Sequence, residues 1–163
     1  KTLGTANGAT PGSARGGVTA VHRFLSTLGI DTTKFIMADG SGLSFYDLLT
    51  TGMIVQLLEE MTRQEDIFPL FYQSLPIAGV DGTLRSRMKR TPAEGNLRAK
   101  TGTISGVSSL SGYVQTFDGE LIVFSMTMQN FIYPTRLYQR APILSCALLA
   151  GFSRIGRTSK PQP

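Results

Sequence analysis

The spacing of apolar residues changes character once along this chain, near residue 97. Before it, helical periods dominate. From Gly17 to Leu28, the residues Val18, Val21, Phe24, Leu25 and Leu28 recur mostly three or four apart, which predicts an amphipathic helix stopped by Gly29. Phe35 to Ala38 is a short strand-like run ending at Asp39-Gly40-Ser41-Gly42. Ser44 or Asp47 is expected to cap a helix reaching about Arg63, with Leu48, Leu49, Met53, Ile54, Leu57 and Leu58 inward. A second short helix fits Glu65 to Gln73, and a segment marked by Pro and Gly runs from Leu75 to Gly82. Thr83 to Arg90 then fits one or two helical turns.

Beyond that point the pattern becomes that of strands. Leu97 to Thr103 and Ser108 to Thr116 read as strands, Phe117-Asp118-Gly119-Glu120 as a hairpin turn, and Leu121 to Gln129 as a strongly apolar strand. Pro134 to Phe152 reads as a closing helix with Leu137, Ile143, Leu144, Ala147 and Leu148 among its apolar positions; Pro142 breaks or kinks it, or marks its start. At the other end, Lys1 to Gly4 resembles the tail of a helix with a Gly stop, and Thr5 to Gly17 a loop. Helices, then antiparallel strands, then a covering C-terminal helix make an α+β class. No internal repeat and no dividing linker is visible.

Composition narrows the function. A chain of 163 residues with 41% hydrophobic content can bury a core and is not a disordered segment. The net charge of +5 permits anionic partners, but the basic residues read as scattered, without a Lys/Arg-rich run or an aromatic-basic ladder. Nucleic acid is therefore not expected as a partner. One cysteine, Cys146, cannot form an internal disulfide and sits in an apolar run, where it reads as a small buried hydrophobe. One His and one Cys without clustered carboxylates predict no metal site, and no cofactor is called for. His22, among Val21, Phe24 and Leu25, reads as structural.

The residues that carry chemistry are Ala99-Lys100-Thr101-Gly102-Thr103, at the end of a predicted strand. Strand alternation sends Lys100 and Gly102 to one face and Thr101 and Thr103 to the other. Gly102 lets a ligand backbone approach closely, and the Thr103 N–H is available to a developing oxyanion. On chemistry alone, the same residues describe a strand end with a surface lysine.

Lys-Thr-Gly also resembles the third motif of the penicillin-recognising serine peptidases and β-lactamases. Ala38-Asp39-Gly40-Ser41-Gly42-Leu43-Ser44 and Leu75-Pro76-Ile77-Ala78-Gly79-Val80-Asp81-Gly82-Thr83-Leu84 resemble two further signatures. In this order and approximate spacing, the three are similar to D-alanyl-D-alanine carboxypeptidases of the penicillin-binding protein 4 type, over about Lys1 to Phe152. The resemblance implies that residues 1–163 are the C-terminal part of a transpeptidase-like catalytic domain with a β-lactamase/transpeptidase-like fold. It implies a serine enzyme acting on peptidoglycan stem peptides in the periplasm or elsewhere in the extracytoplasmic envelope, and inhibited by β-lactams.

The same resemblance assigns roles. Lys100 holds positive charge near the substrate carboxylate and assists proton transfer; Thr101, Gly102 and Thr103 receive the substrate; and the Thr103 N–H forms half of the oxyanion hole. Asp39 and Ser41 are read as a turn near the site, more structural than catalytic. Phe45 stands where the family often has Arg. The family's Ser-x-x-Lys and Ser-x-Asn motifs are expected upstream, on an N-terminal portion of the same protein outside this chain. Ser-x-Asn does not occur here, and the single Ser-x-x-Lys, Ser86-Arg87-Met88-Lys89, lies between the wrong motifs and reads as a chance match. Two rival classes are a non-catalytic binder of β-lactams or wall fragments with the same fold, and a purely structural α+β domain.

Overall fold

The computed structural model describes residues 2–6, 8 and 12–154. They form two compact units, Lys1–Gln64 and Glu65–Pro163, each considered by itself.

The first unit is helical. Helix α1 covers Thr2–Ala6 and α2 covers Ala14–Thr27. Gly4 does not stop α1; it is buried within it, because a Cβ there would meet the Ser13 carbonyl at 2.8 Å. Helix α2 starts three residues before Gly17, where the Ser13 hydroxyl accepts from the Gly16 N–H at 3.0 Å and satisfies one open end of the helix. It ends as expected, with Gly29 at φ +72° and the Ile30 N–H returning to the Leu25 carbonyl. Phe35 to Ala38 forms not a strand but a single bridge, Ile36 to Leu48. Helix α3 covers Thr51–Thr62 and is capped by Thr50, whose hydroxyl accepts from the Met53 N–H at 3.2 Å. Neither Ser44 nor Asp47 caps it. The Asp47 carboxylate instead accepts from the Ala38 and Asp39 N–H groups at 2.7 and 3.3 Å, the Ser44 hydroxyl closes a local turn with the Tyr46 N–H, and Leu48 and Leu49 are exposed.

The second unit holds the sheet. Strands β1 (Arg98–Ile104), β2 (Val107–Gln115) and β3 (Leu121–Gln129) form an antiparallel sheet in the order β1-β2-β3. A two-residue turn, Ser105-Gly106, joins β1 to β2 with Ile104 opposite Val107, and Gly106 supplies the positive φ that the turn requires. The Asn96 side chain exchanges two hydrogen bonds with the Gln115 backbone, at 2.8 and 3.0 Å, and sets the register at the open end of the hairpin.

The two sheet faces are covered differently. Ala99, Leu110, Val114 and Phe124 pack with Leu84, Leu97, Cys146 and Ala150 into one core. Each of the larger side chains there contributes about 1.5–3 kcal/mol by leaving water. On the opposite face, Phe68, Phe71 and Tyr72 of α4 (Phe68–Ser74) surround the fully buried Tyr113 edge-on or tilted, and the Arg98 guanidinium lies over the Tyr72 ring.

The closing helix is two: α5, Thr135–Tyr138, and α6, Arg140–Gly151, with Pro142 in the first turn of α6. Its buried face is Pro142, Cys146 and Ala150, whereas Leu137, Leu144 and Leu148 are exposed, Leu148 by 76%. The helix is apolar all round, so its pattern selects no face. The small Cys146 and Ala150 side chains face the sheet. The α+β expectation stands, and with it the covering C-terminal helix.

Candidate active site

The site is built on the outer edge of β1, and a loop decides how much of that edge stays open. Residues 75–84 are knitted by their own backbone: the Asp81 carboxylate accepts from the Ile77 N–H at 2.7 Å, and the Gly79 N–H donates to the Leu84 carbonyl at 3.0 Å. Gly79 and Gly82 both have positive φ, and a Cβ on Gly79 would strike the Glu94 side chain at 2.8 Å. The resulting loop pairs with the start of the strand. The Ala78 N–H donates to the Leu97 carbonyl at 2.9 Å, the Ala99 N–H donates to the Pro76 carbonyl at 3.0 Å, and Ile77 bridges Arg98.

This pairing fixes the direction of every later peptide group in β1. Ala99 points its N–H outward, away from β2, so by the two-residue repeat Thr101 and Thr103 do the same. Past Ala99, no strand lies beside that edge among the described residues. The Lys-Thr-Gly-Thr stretch therefore presents a short length of open ladder, with the Thr103 N–H directed outward, flanked by a rigid loop.

The side chains follow the expected alternation. Lys100 is exposed, and its ammonium folds back to donate to the outward-facing Thr101 carbonyl at 2.6 Å, which holds the cation at the open edge. Gly102 lies over Ser109: a Cβ there would sit 2.4 Å from the Ser109 hydroxyl oxygen. Thr101 is nearly buried, and its hydroxyl pairs with that of Thr83 at 3.0 Å; Thr103 is exposed. Across the strands on the Lys100 face, Ser111 and Ser125 bond each other at 2.9 Å, so the surface beside the lysine is polar.

Two contributors had no distinctive sequence signal. Thr83 lies in a short 3-10 turn, Gly82–Leu84, and touches Thr101 only through folding across 18 positions. Ser109 lies opposite Gly102 only because of the hairpin register. Asp39 and Ser41, in the first unit, form a chain of turns: the Asp39 carboxylate accepts from the Ser41 N–H at 2.7 Å, and the Ser41 hydroxyl from the Leu43 N–H at 3.1 Å. The Ser41 hydrogen bonds hold the Asp39 carboxyl below its ordinary pKa. His22 stacks on Phe35 with ring centroids 4.6 Å apart. Ser86 and Lys89 do not share a helical turn, because Met88 between them has φ +62°.

A sheet of this topology with a Lys-Thr-Gly edge strand and a helix packed on one face is the β-lactamase-type α+β fold. The solved TLA-1 extended-spectrum β-lactamase matches it over 80% of this chain and 52% of its own, with TM-score 0.63 at 18% identity. The chain belongs to the D-Ala-D-Ala carboxypeptidase 3 (S13) family, whose model matches residues 1–143. Among its relatives is a D-alanyl-D-alanine carboxypeptidase of Actinomadura sp. (strain R39), 45% identical over 126 residues, which are 74% of this chain and 23% of the relative. The D-alanyl-D-alanine carboxypeptidase DacB of Haemophilus influenzae is 38% identical over 123 residues, 74% of this chain and 26% of the relative. The crystal structure of penicillin-binding protein 4 from Haemophilus influenzae superposes with TM-score 0.71 at 35% identity, over 76% of this chain and 28% of that one. The same protein has been solved complexed with a β-lactam. This chain thus spans about a quarter of the length of the relatives it matches.

Proposed function

We propose that this chain forms the Lys-Thr-Gly wall of a serine-type D-Ala-D-Ala carboxypeptidase or endopeptidase that acts on peptidoglycan stem peptides in the extracytoplasmic envelope. The observation that carries this reading is the edge of β1, covered through Ala99 and open from Lys100 to Thr103. An extended substrate lies along that edge as an added strand, in the way that peptides join exposed sheet edges. The outward Thr103 N–H donates to the oxyanion as the carbonyl becomes tetrahedral, and a donor of this kind is worth roughly 3–4 kcal/mol in the transition state. The exposed Thr103 hydroxyl binds the terminal carboxylate. Thr101 lines the same wall beside it, with its hydroxyl donating to that of Thr83 at 3.0 Å. The Lys100 ammonium supplies positive charge beside that carboxylate and serves proton transfer to the departing D-Ala.

The nucleophilic serine belongs, in this proposal, to an N-terminal portion of the same protein outside this chain. It attacks the D-Ala-D-Ala carbonyl, D-Ala leaves, and water releases the acyl group. The outer edge of β3, unpaired among the described residues and apolar along most of its length, and the exposed Leu144 and Leu148 of α6 support a covering segment of this kind. Residues 86–89 lack the helical turn that would align a Ser-x-x-Lys pair, which supports Ser86 as a bystander.

Intact-mass analysis of the purified protein with and without a β-lactam tests this. A drug-sized increase located by peptide mapping outside residues 1–163 supports the proposal. An adduct on Ser86 overturns the placement of the nucleophile. Reversible binding without any adduct favours a non-catalytic wall-fragment or β-lactam binder.

A further inference from the structure

The basic residues are not scattered throughout. Residues 85–90 hold four of the chain's sixteen: Arg85, Arg87, Lys89 and Arg90. Whole-chain composition dilutes this concentration, and the segment folds into a loop rather than the helical turns expected from Thr83 to Arg90. Beyond the 3-10 turn Gly82–Leu84, Met88 and Arg90 adopt left-handed backbone, at φ +62° and +59°. Non-glycine residues hold that conformation only where their surroundings enforce it.

The enforcement is visible. Met88 is buried in the core at 4% exposure and anchors the middle of the loop. The Thr91 hydroxyl donates to the Met88 carbonyl at 2.6 Å, the Arg87 N–H to the Leu84 carbonyl at 2.9 Å, and the Arg90 N–H to the Glu94 carboxylate at 2.5 Å. The cations therefore project from a fixed platform rather than a floppy tail, so less ordering entropy opposes binding.

These cations also lack counter-ions. Among the described residues, none of the four takes part in an ion pair; the pairs present involve Lys34, Arg63 and Arg154. The nearby carboxylate, Glu94, is engaged by the Arg90 backbone and closely packed over Gly79. Arg87 is partly buried in a narrow cleft bounded by Ser108, Gln139 and Ile143, and desolvation lowers its pKa.

We infer that residues 85–90 form an anion-binding platform for linear polyphosphate. Two exposed guanidinium forks, Arg85 and Arg90, and the exposed Lys89 ammonium suit a repeating phosphate, which guanidinium engages in bidentate fashion. A membrane surface fits less well: Leu84 and Met88 are buried, leaving no exposed aliphatic or aromatic side chain in the segment to enter a lipid interface. No aromatic residue lies between the cations to stack on a nucleobase. The platform lies outside the catalytic edge, although its first residues follow Thr83 and thus extend from the wall of the site.

The test uses the whole protein carrying this chain and fluorescently labelled linear polyphosphate, with affinity measured by anisotropy across a salt series. The triple variant Arg85→Gln/Lys89→Gln/Arg90→Gln should bind roughly 10- to 100-fold more weakly, with a salt slope shallower by about two to three, as expected when that many phosphate contacts are lost. The charge-conserving variant Arg85→Lys/Arg90→Lys should fall between it and the unmodified protein, because lysine keeps the charge but not the fork. β-lactam acylation of each variant checks that it is folded and separates failure here from failure of the proposed enzyme. Undiminished binding by the folded triple variant overturns the inference. Equal affinity for polyglutamate overturns the assignment to phosphate. Tighter binding to anionic phospholipid vesicles or to duplex DNA than to polyphosphate overturns the choice of polymer.

Discussion

Gly112, in the middle of β2, is the position where one methyl group should do most damage to the site. It lies opposite Ala99 in β1 and Phe124 in β3. A Cβ built there would sit 2.2 Å from the Arg98 carbonyl oxygen, 2.6 Å from the Ala99 Cα and 2.8 Å from its Cβ. Two of these three atoms are backbone of the Lys-Thr-Gly strand, so nothing yields by rotating a side chain. Relief requires β1 to move away from β2, against the pairing of its other edge with Pro76 and Ala78. Gly102 is the instructive contrast, because its Cβ would meet the Ser109 hydroxyl, the end of a side chain that can rotate.

Overpacking of a well-filled site costs typically 1–3 kcal/mol, and Gly112→Ala belongs at or above the top of that range. Gly102→Ala should cost about 1 kcal/mol in stability, and less when combined with Ser109→Ala. For a unit of this size, 3 kcal/mol corresponds to a drop in Tm on the order of 10 °C. Differential scanning calorimetry gives the stability, and, on the function proposed above, the rate of penicillin acylation of the whole protein carrying this chain reports on the displaced strand. Gly112→Ala should lower both, with acylation falling by tenfold or more on the order expected for small misplacement of catalytic groups. The reasoning is refuted if Gly112→Ala melts with the unmodified protein, or if Gly102→Ala proves the more destabilising of the two.

Lys100→Ala should reduce acylation by about 10²–10⁴-fold with little change in Tm, since the side chain is exposed; stopped-flow acylation kinetics check this. Thr83→Ala leaves the nearly buried Thr101 hydroxyl without that partner and should cost about 1–3 kcal/mol in urea unfolding, whereas Thr83→Ser should restore most of it. Burial pushes the Cys146 thiol and the Tyr113 phenol each up to about 12, from 9.0 and 10.0. Both stay protonated in the folded protein where the unfolded chain has lost the proton, so their contribution is complete below about pH 9 and declines between about pH 9 and 12. Urea midpoints across that range should fall, and less steeply in Cys146→Ala; the same burial predicts that a thiol reagent labels Cys146 only after unfolding.

The strands were legible in the sequence because a half-buried hairpin writes its period directly: Leu121 to Gln129 and the turn at Phe117 to Glu120 coincide with β3 and the turn before it. Lys100, Thr101, Gly102 and Thr103 were legible as a group because they are contiguous and alternate across one strand. Helix α6 was legible as a helix but not in its orientation, since residues apolar on every side give no preferred face and packing selected Cys146 and Ala150. The cap of α3 was misplaced because several residues in 44–50 have side-chain oxygens able to cap, and the bridge between Ile36 and Leu48 drew Asp47 toward Ala38 and Asp39 instead. Which part of the β1 edge stays open, and which hydroxyls meet Thr101 and Gly102, depended on contacts between segments far apart in the chain: Pro76 on Ala99, Thr83 on Thr101, Ser109 beneath Gly102. Local spacing carries no information about such pairs, because loop closure and strand register bring them together only when the core between them forms.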